Sequence, residues 1–348
     1  MKKWNRIFIG ILSCSIFFVS CSSDDNATTG GEVSLGQYED GVFVLNEGNS
    51  NVSSASVTFI GKNGTQENDV FTNVNPKAPK TGSYLQNMFF DDSRAYIVSG
   101  QANKITVVDR YTFKFIASID SDFKNPRYGT ISNGKAFVTN AGADWFSKSD
   151  DFLTVINLSN FSTSKLPMNN WCERITEENG KVYVANGYYE SGTSITVVNA
   201  ANNTIEKVIE LGFSPNSMEE EDGILYVVGS GKLAKITLSN QTLTGTPMNL
   251  VADSKNLDID NNTIYFTSNA SVFGMPIEAS VAPTTPIFTY QPNSVSGAMY
   301  GFAVNDGKIY IGDVGSFSSD SQINIYTLTG SLIDTKTVGV APNGFYFY

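Results

Sequence analysis

Hydrophobic and polar residues alternate along most of the chain in short segments that follow a tight-turn pair. In "NGKVYVANG", Asn179–Gly187, the pair Asn-Gly readily takes positive φ, and β-branched and aromatic residues alternate after it. No segment sustains a 3.6-residue hydrophobic period, so the pattern predicts hairpins and an all-β fold. Seven copies of this string turn at Gly41, Ser93, Gly134, Gly180, Gly223, Asn262 and Gly307, at intervals of 39 to 52 residues.

A second apolar string follows most copies, as in "NKITVVD" from Asn103 and "TSITVVNA" from Thr193, and a shorter apolar segment precedes most turns. Each unit therefore has about four short strands. The sixth unit is irregular, because "SVFGMPIEA" from Ser271 replaces the second string. Repeats of about 40–45 residues with four strands each are typical of β-propellers. The sequence predicts a seven-bladed β-propeller with four-stranded blades.

The C-terminal segment predicts how the ring closes. "VGVAPNGFYFY" resembles the first strand of a blade, but the chain ends at Tyr348 before the turn that should follow. The matching turn and second strand are found near the start of the chain, in "DGVFVLNEGN". We therefore expect Gly344–Tyr348 to pair beside Val42–Leu45 and to complete the first blade.

The N-terminal segment resembles an export signal. Three basic residues precede a thirteen-residue, mostly apolar stretch, Ile7–Val19, which is too short to span a bilayer of about 30 Å. The following "FFVSC" resembles the lipobox of bacterial lipoproteins. This resemblance implies removal of residues 1–20, lipidation of Cys21 and an outer-membrane lipid anchor. The alternative is a secreted chain in which Cys21 is incidental.

The predicted domains after the signal are a polar, acidic tether over residues 21–36 and the propeller over 37–348. The pair Asp24–Asp25 resembles the surface-export signal of some Gram-negative lipoproteins, which implies an anchor facing the cell exterior. Ordinary linker polarity explains the pair equally well.

Charge and composition exclude several functions. Without residues 1–20 the chain has 20 Lys+Arg against 34 Asp+Glu, a net charge of −14, so no nucleic-acid partner is predicted. The sequence has no histidine, which excludes Ser-His-Asp and Cys-His catalysis and histidine-ligated zinc or haem. We therefore expect Cys172 to be a small residue packed in the core and not a nucleophile.

The acidic segments of the sequence do not predict a metal-binding site. "DIDNN", from Asp258, imitates the start of a calcium loop, but Thr263 and Asn269 occupy the two positions that an EF-hand requires to be Gly and Glu. The acidic run Glu219–Asp222 is typical of the solvent-exposed residues that precede a hairpin turn. A pair of carboxylates could still hydrolyse a glycoside, but no pair stands out. The sequence predicts neither a metal nor a cofactor nor an enzyme.

One end of the ring gathers aromatic and amide residues. In propellers, the loops that lead into the innermost strands and the loops that join second to third strands meet on one face around the axis. Rings with polar tips on such loops suit a large ligand with polar edges. The predicted ligand-binding residues are Asn46, Tyr84, Arg127, Tyr128, Trp145, Trp171, Tyr188, Tyr189, Asn216, Asn256, Tyr300, Phe317 and Asn343, with Glu47, Asn49, Phe146, Arg174 and Lys255 nearby.

The blade strings resemble those of YncE-like seven-bladed propellers. The opening "DGVFVLNEGNSNVSSASVTFI" narrows this resemblance to surface lipoproteins that begin "G-x-F-x-LNEG". Some of these accompany TonB-dependent outer-membrane transporters, and one branch captures cobalamin. The resemblance implies a surface lipoprotein that binds cobalamin or another corrinoid and passes it to such a transporter. The alternative is an interaction module that binds a glycan, a peptide or an envelope partner protein, without a transport role.

Overall fold

The fold is a seven-bladed β-propeller, as the sequence predicts. The structure is a computed structural model and describes residues 34–51 and 54–347. Cys21 and the predicted signal lie outside the described residues, as does most of the predicted tether. Each blade is an antiparallel sheet in which inner, second, third and outer strands follow one another from the axis outward. Within the described residues, no helix has the length and apolar character needed to cross a membrane.

We number the blades by the chain order of their second strands. The inner strands of blades one to seven are Pro342–Phe347, Leu85–Phe90, Pro126–Ser132, Cys172–Glu178, Ser217–Glu221, Lys255–Asp260 and Gly301–Asn305. The second strands are Gly41–Asn46, Arg94–Ser99, Lys135–Asn140, Lys181–Asn186, Ile224–Gly229, Thr263–Ser268 and Lys308–Asp313. The third strands are Ser56–Gly61, Lys104–Asp109, Phe152–Asn157, Ser194–Asn199, Lys232–Thr237, Ser271–Pro276 and Ser321–Thr327.

The outer strands vary most in length, from two to seven residues. They are Gln66–Glu67, Phe115–Ile119, Thr163–Pro167, Thr204–Glu210, the pair Thr242–Leu243 and Met248–Asn249, Phe288–Thr289 and Leu332–Val338. A short α-helix covers Val70–Val74, and two 3-10 turns cover Tyr188–Glu190 and Val295–Gly297.

The second strands form the core of every blade. All seven bury every residue after the first, because a neighbouring blade covers each face of the sheet. Between blades two and three, for example, Tyr96 and Val107 pack in one cluster with Val138 and Ile156. Full burial of one such side chain stabilises the fold by roughly 1.5–3 kcal/mol. The core is therefore a ring of inter-blade layers around the axis.

Five of the seven turn pairs have the backbone conformation that the sequence predicts, and Asp40-Gly41 and the turn at Ser93 do not. Both residues have positive φ in Asn133-Gly134 and Asn179-Gly180, which matches the right-handed twist of the strands that the turns join. The turn at Ser93 differs, because the Asp91 carboxylate accepts hydrogen bonds from the backbone N–H groups of Ser93 and Arg94. An Asx-type turn replaces the positive-φ pair there.

The structure of the sixth blade differs from the prediction that its segment from Ser271 is irregular. Its third strand, Ser271–Pro276, is a regular strand that pairs with the second strand along its whole length. The outer strand of this blade is short, with two residues, as it is in blade one. Gly274 and Pro276 do not break the third strand: a Cβ at Gly274 would lie 2.8 Å from Ile287 Cδ1, and Pro276 is the strand's last residue. The glycine there accommodates a close neighbour.

The ring closes as the C-terminal segment predicts. Val42 pairs with Phe347, and Leu45 pairs with Gly344, so the last described strand is the inner strand of blade one. Val44 and Phe345 join one buried cluster with Ile323 of blade seven. The two ends of the chain therefore share one sheet and the core layer beside it.

Candidate binding face

The loops that precede the inner strands and the loops between second and third strands lie together on one face, which we call the upper face. The inner strands surround a central channel that opens there. Strand order fixes this arrangement, because each chain segment enters its blade at the axis from this face. The loop residues of adjacent blades consequently meet around the mouth of the channel.

Four aromatic residues of blades three and four form a ridge on the upper face. We call Trp145, Phe146, Tyr188 and Tyr189 the aromatic ridge. Trp145, Phe146 and Tyr189 are 50%, 87% and 60% exposed, although large apolar side chains are usually covered. The Phe146 and Tyr189 rings are nearly parallel with centroids 6.5 Å apart, and Tyr188 lies 4.5 Å from Tyr189. The ridge offers flat apolar surface from two blades.

Local backbone structure holds the ridge in place. The Asp150 carboxylate accepts a hydrogen bond from the N–H of Ala143 at 2.6 Å and so closes the loop that carries Trp145 and Phe146. In the next blade, Tyr189 has φ of 48°, a left-handed conformation that is costly for a bulky residue. This conformation directs the side chains of the two neighbouring tyrosines to different sides: Tyr188 is buried and Tyr189 faces solvent.

A charged pair supports the ridge from beneath. The Arg127 guanidinium lies 5.2 Å from the centroid of the Tyr188 ring. It also binds Glu173 with two hydrogen bonds, Nε to Oε2 at 3.0 Å and Nη2 to Oε1 at 2.8 Å. Burial raises the pKa of Tyr188 to about 12, so its hydroxyl stays protonated at neutral pH. This pair therefore ties the inner strands of blades three and four to the ridge.

A second polar cluster lies across the mouth. Glu47 accepts hydrogen bonds from the Tyr300 hydroxyl at 2.6 Å and from Gln86 Nε2 at 3.0 Å. Asn343 Nδ2 approaches the same carboxylate at 3.4 Å, and Phe317 packs edge-on against Tyr300. Burial raises the pKa of Glu47, while these donors oppose the shift. Blades one, two and seven thus share one hydrogen-bonded centre.

Farther into the channel, Arg174 faces Tyr128. The guanidinium carbon of Arg174 lies 4.2 Å from the centroid of the Tyr128 ring. Burial raises the pKa of Tyr346, in blade one, to about 12, and the charge of Arg174 opposes that shift. The inner strands of blades three and four therefore meet here through a cation–ring contact.

Several channel residues join neighbouring inner strands. Glu219 accepts a hydrogen bond from the N–H of Ile259 at 2.7 Å, and Asp258 accepts one from the N–H of Val304 at 2.8 Å. Burial, together with the nearby charge of Asp258, raises the pKa of Glu219. The acidic run at Glu219 is therefore partly an inter-blade contact and not simply a solvated surface.

The structure brings some of the predicted ligand-binding residues together and separates others. Trp171 is half-buried in the loop before the blade-four inner strand, and Tyr84 is 36% exposed in the corresponding loop of blade two. Asn46 is buried and donates to the hydroxyls of Ser56 and Thr58 inside blade one, away from the channel mouth.

The two remaining amides belong to the far side of the upper face. Exposed Asn216 accepts a hydrogen bond from the backbone N–H of Asn256 at 3.0 Å. The Asn256 side chain donates to the backbone carbonyl of Met299 and to the Thr267 hydroxyl. These two amides join blades five, six and seven, and neither lies in the aromatic ridge.

Sequence reasoning missed Glu173 and Asp150. Glu173 occupies the second position of its inner strand, as Arg127 does in the preceding blade. Aligning the inner strands of the repeats would have placed the two side by side. No pattern in the sequence marks Asp150, because its hydrogen bond to Ala143 depends on the fold of its own loop.

A further concavity lies on the opposite face, between blades five and six. Its volume is about 470 Å³. It is lined by Glu221, Asp222, Ile224, Tyr226, Asn262, Pro276, Ile277 and Glu278. Its Tyr226 ring is buried, so the cleft lacks the exposed rings of the upper face. No group of three or more metal-ligating side chains occurs in residues 34–51 and 54–347.

The propeller sequence matches one protein family over nearly all of the described chain. Residues 40–347 match the family model "Domain of unknown function (DUF5074)". The chain belongs to this DUF5074 family. A comparison with curated proteins found no match.

Several solved structures are similar to this DUF5074 chain at low sequence identity. A quinonprotein alcohol dehydrogenase-like protein from Bacteroides thetaiotaomicron matches at a TM-score of 0.69 and 18% identity, over 89% of this chain and 78% of that one. Apo AztD from Citrobacter koseri matches at 0.56 and 12%, over 88% and 96%. BamB from Moraxella catarrhalis matches at 0.51 and 13%, over 75% and 78%. At these identities the likeness establishes the fold alone.

Proposed function

We propose that this DUF5074 propeller is a binding protein that captures a large, flat-sided ligand with polar edges on its upper face. The observation that carries the proposal is the aromatic ridge, with Trp145, Phe146 and Tyr189 exposed side by side beside a hydrogen-bonded channel mouth. Aromatic rings held on loops contribute contact area at low cost in conformational entropy. Binding would bury these rings.

A binding role fits the chemistry better than catalysis does. The chain has no histidine, and two carboxylates at the mouth are engaged: Glu173 by Arg127 and Glu47 by Tyr300 and Gln86. A carboxylate held in this way is poorly placed to attack a substrate or to move its protons.

The ligand that we propose is cobalamin or another corrinoid. The "G-x-F-x-LNEG" opening supports this choice by resemblance, and an amide-edged macrocycle matches the combination of ridge and mouth. A lipid anchor on Cys21 at the outer-membrane surface and transfer to a TonB-dependent transporter complete the proposal. The lipid anchor is proposed from the lipobox, and the surface location and the transfer step are proposed from the same resemblance.

Isothermal titration of the full chain with cyanocobalamin tests this proposal. We expect saturable heat with one site per chain at micromolar protein. A heat signal that does not exceed ligand dilution would overturn the choice of a corrinoid.

The exposed, nearly parallel Phe146 and Tyr189 rings also favour a second candidate, because the faces of sugar rings stack on such surfaces. A glycan array probed with the full chain separates the two candidates. Binding to defined glycans without binding to cyanocobalamin would favour the glycan role.

A further inference from the structure

Arg174 has a different environment from Arg94 and Arg127. Arg94 pairs with the Asp91 carboxylate at 2.8 Å, and Arg127 pairs with Glu173. Across residues 34–51 and 54–347, Arg174 has no ion pair and no side-chain hydrogen bond; it lies over the face of the Tyr128 ring. Its guanidinium donors are therefore open to the channel.

The Tyr128 hydroxyl is also available. Its ring is held by the strand backbone, because the Tyr128 N–H donates to Thr139 Oγ1 at 3.0 Å, while the phenol oxygen makes no hydrogen bond within the described part of the chain. A guanidinium offers up to five N–H donors in a planar fork, and a phenol adds one O–H donor. Together they provide the donors that a phosphate or carboxylate accepts.

We propose that Arg174 and Tyr128 form an oxyanion-binding site in the channel that takes a phosphate or carboxylate group of the ligand held on the upper face. Trp171 lies at the mouth, immediately before the inner strand that carries Arg174, and Arg174 follows it three residues later. The anionic group therefore belongs to an arm of the ligand that reaches into the channel. This inference rests on the proposed binding function.

The neighbouring carboxylates do not fill this site. Glu173 is held by two hydrogen bonds from Arg127, and Glu47 by Tyr300 and Gln86. The chain as a whole is strongly acidic, so an anion gains nothing from the overall field and must be bound by local donors. The site should therefore discriminate strongly between anionic and neutral ligand arms.

Arginine Nε–Hε resonances of the full chain provide a direct test, because the sequence has five arginines. Arg174→Gln identifies the resonance. Titration with inorganic phosphate and, separately, with acetate should shift the Arg174 resonance saturably. The Arg127 resonance, already bound to Glu173, should remain in place. An Arg174 shift no larger than that of Arg94 with both anions would overturn the proposal.

Cyanocobalamin binding then separates this proposal from the binding function. We expect Arg174→Gln to weaken cyanocobalamin about tenfold, with an unchanged melting temperature. A phosphate-induced shift without corrinoid binding would support the channel site and overturn the corrinoid proposal. Corrinoid binding that Arg174→Gln leaves unchanged, with no anion-induced shift, would leave the binding function standing and overturn the channel site.

Discussion

The hydroxyl of Tyr346 accepts a hydrogen bond from the backbone N–H of Met88 at 2.9 Å and another from Asn87 Nδ2 at 3.2 Å. Tyr346 lies in the last described strand, and Met88 lies in the inner strand of blade two. The C-terminal strand therefore completes blade one and also fastens it to the next blade.

Removal of that hydroxyl should destabilise the ring. We expect Tyr346→Phe to lower the free energy of unfolding by about 1–3 kcal/mol, because the donors of two partly buried hydrogen bonds lose their acceptor. Urea unfolding followed by circular dichroism measures the change. Tyr84→Phe is the matched control and should leave stability within about 0.5 kcal/mol, since its partly exposed hydroxyl has no hydrogen bond among the described residues. Equal effects of both variants would contradict the role of Tyr346.

Deletion of residues 341–348 tests closure more severely. The lost segment pairs with the second strand of blade one and shares a buried cluster with Ile323 and Val44. We expect the truncated chain to lose its cooperative thermal transition, because an opened ring exposes a core layer. Calorimetry decides the matter: a transition at the full-length melting temperature would show that the closing strand is dispensable.

Asp151 should make stability depend on pH. Burial raises the pKa of this carboxyl to about 7, and one of its oxygens accepts the N–H of Cys172 at 3.0 Å. The native state therefore binds this proton more tightly than the unfolded chain does, in which Asp titrates near 3.9. The stabilisation is complete below about pH 4 and is lost as the pH rises to about 7.

Asp151→Asn isolates that contribution. The amide oxygen still accepts the Cys172 N–H, but no charge forms. Between pH 4 and 7, we expect the wild-type free energy of unfolding to fall relative to the variant by up to about 1.4 kcal/mol per pH unit. Urea unfolding across this range checks the slope, and parallel curves for the two proteins would rule out the assignment.

The asparagine that ends several second strands is structural. Asn186 donates to Ser194 Oγ at 3.2 Å and to Thr196 Oγ1 at 2.8 Å, and Asn46 makes the same pair of contacts in blade one. We expect Asn186→Ala to cost about 2 kcal/mol of stability and to leave ligand affinity unchanged. Asn202→Ala, in an exposed turn, is the stability control. Weakened binding by a folded Asn186→Ala would instead place that residue in the site.

Much of the fold could be predicted from the sequence because its signals are local. Pairs such as Asn133-Gly134 carry their own turn geometry, and the alternation after them marks the strands. The sixth blade was misjudged because "SVFGMPIEA" does not match the repeated string: it contains Gly274 and Pro276, which are rare in strand interiors. In the fold, one faces a close neighbour and the other ends its strand.

The site was less predictable because side-chain direction depends on loop backbone and on neighbouring blades. Tyr188 and Tyr189 are equivalent by sequence, but the left-handed backbone at Tyr189 turns one ring inward and the other outward. Asn46 was predicted at the mouth and is instead bonded inside its blade. Glu173 was missed because its contact with Arg127 joins two blades and shows in the sequence only when the inner strands of the repeats are aligned.

The proposed binding function depends on the aromatic ridge, and calorimetric titration of a ridge variant with cyanocobalamin is its sharpest test. The variant combines Trp145→Ala, Phe146→Ala and Tyr189→Ala, and its control combines Leu332→Ala and Ile333→Ala, exposed apolar residues on the outer strand of blade seven. We predict that the ridge variant keeps the wild-type melting temperature and loses at least about 100-fold in affinity, while the control binds like wild type. Wild-type affinity in a folded ridge variant would show that the aromatic ridge does not bind the ligand.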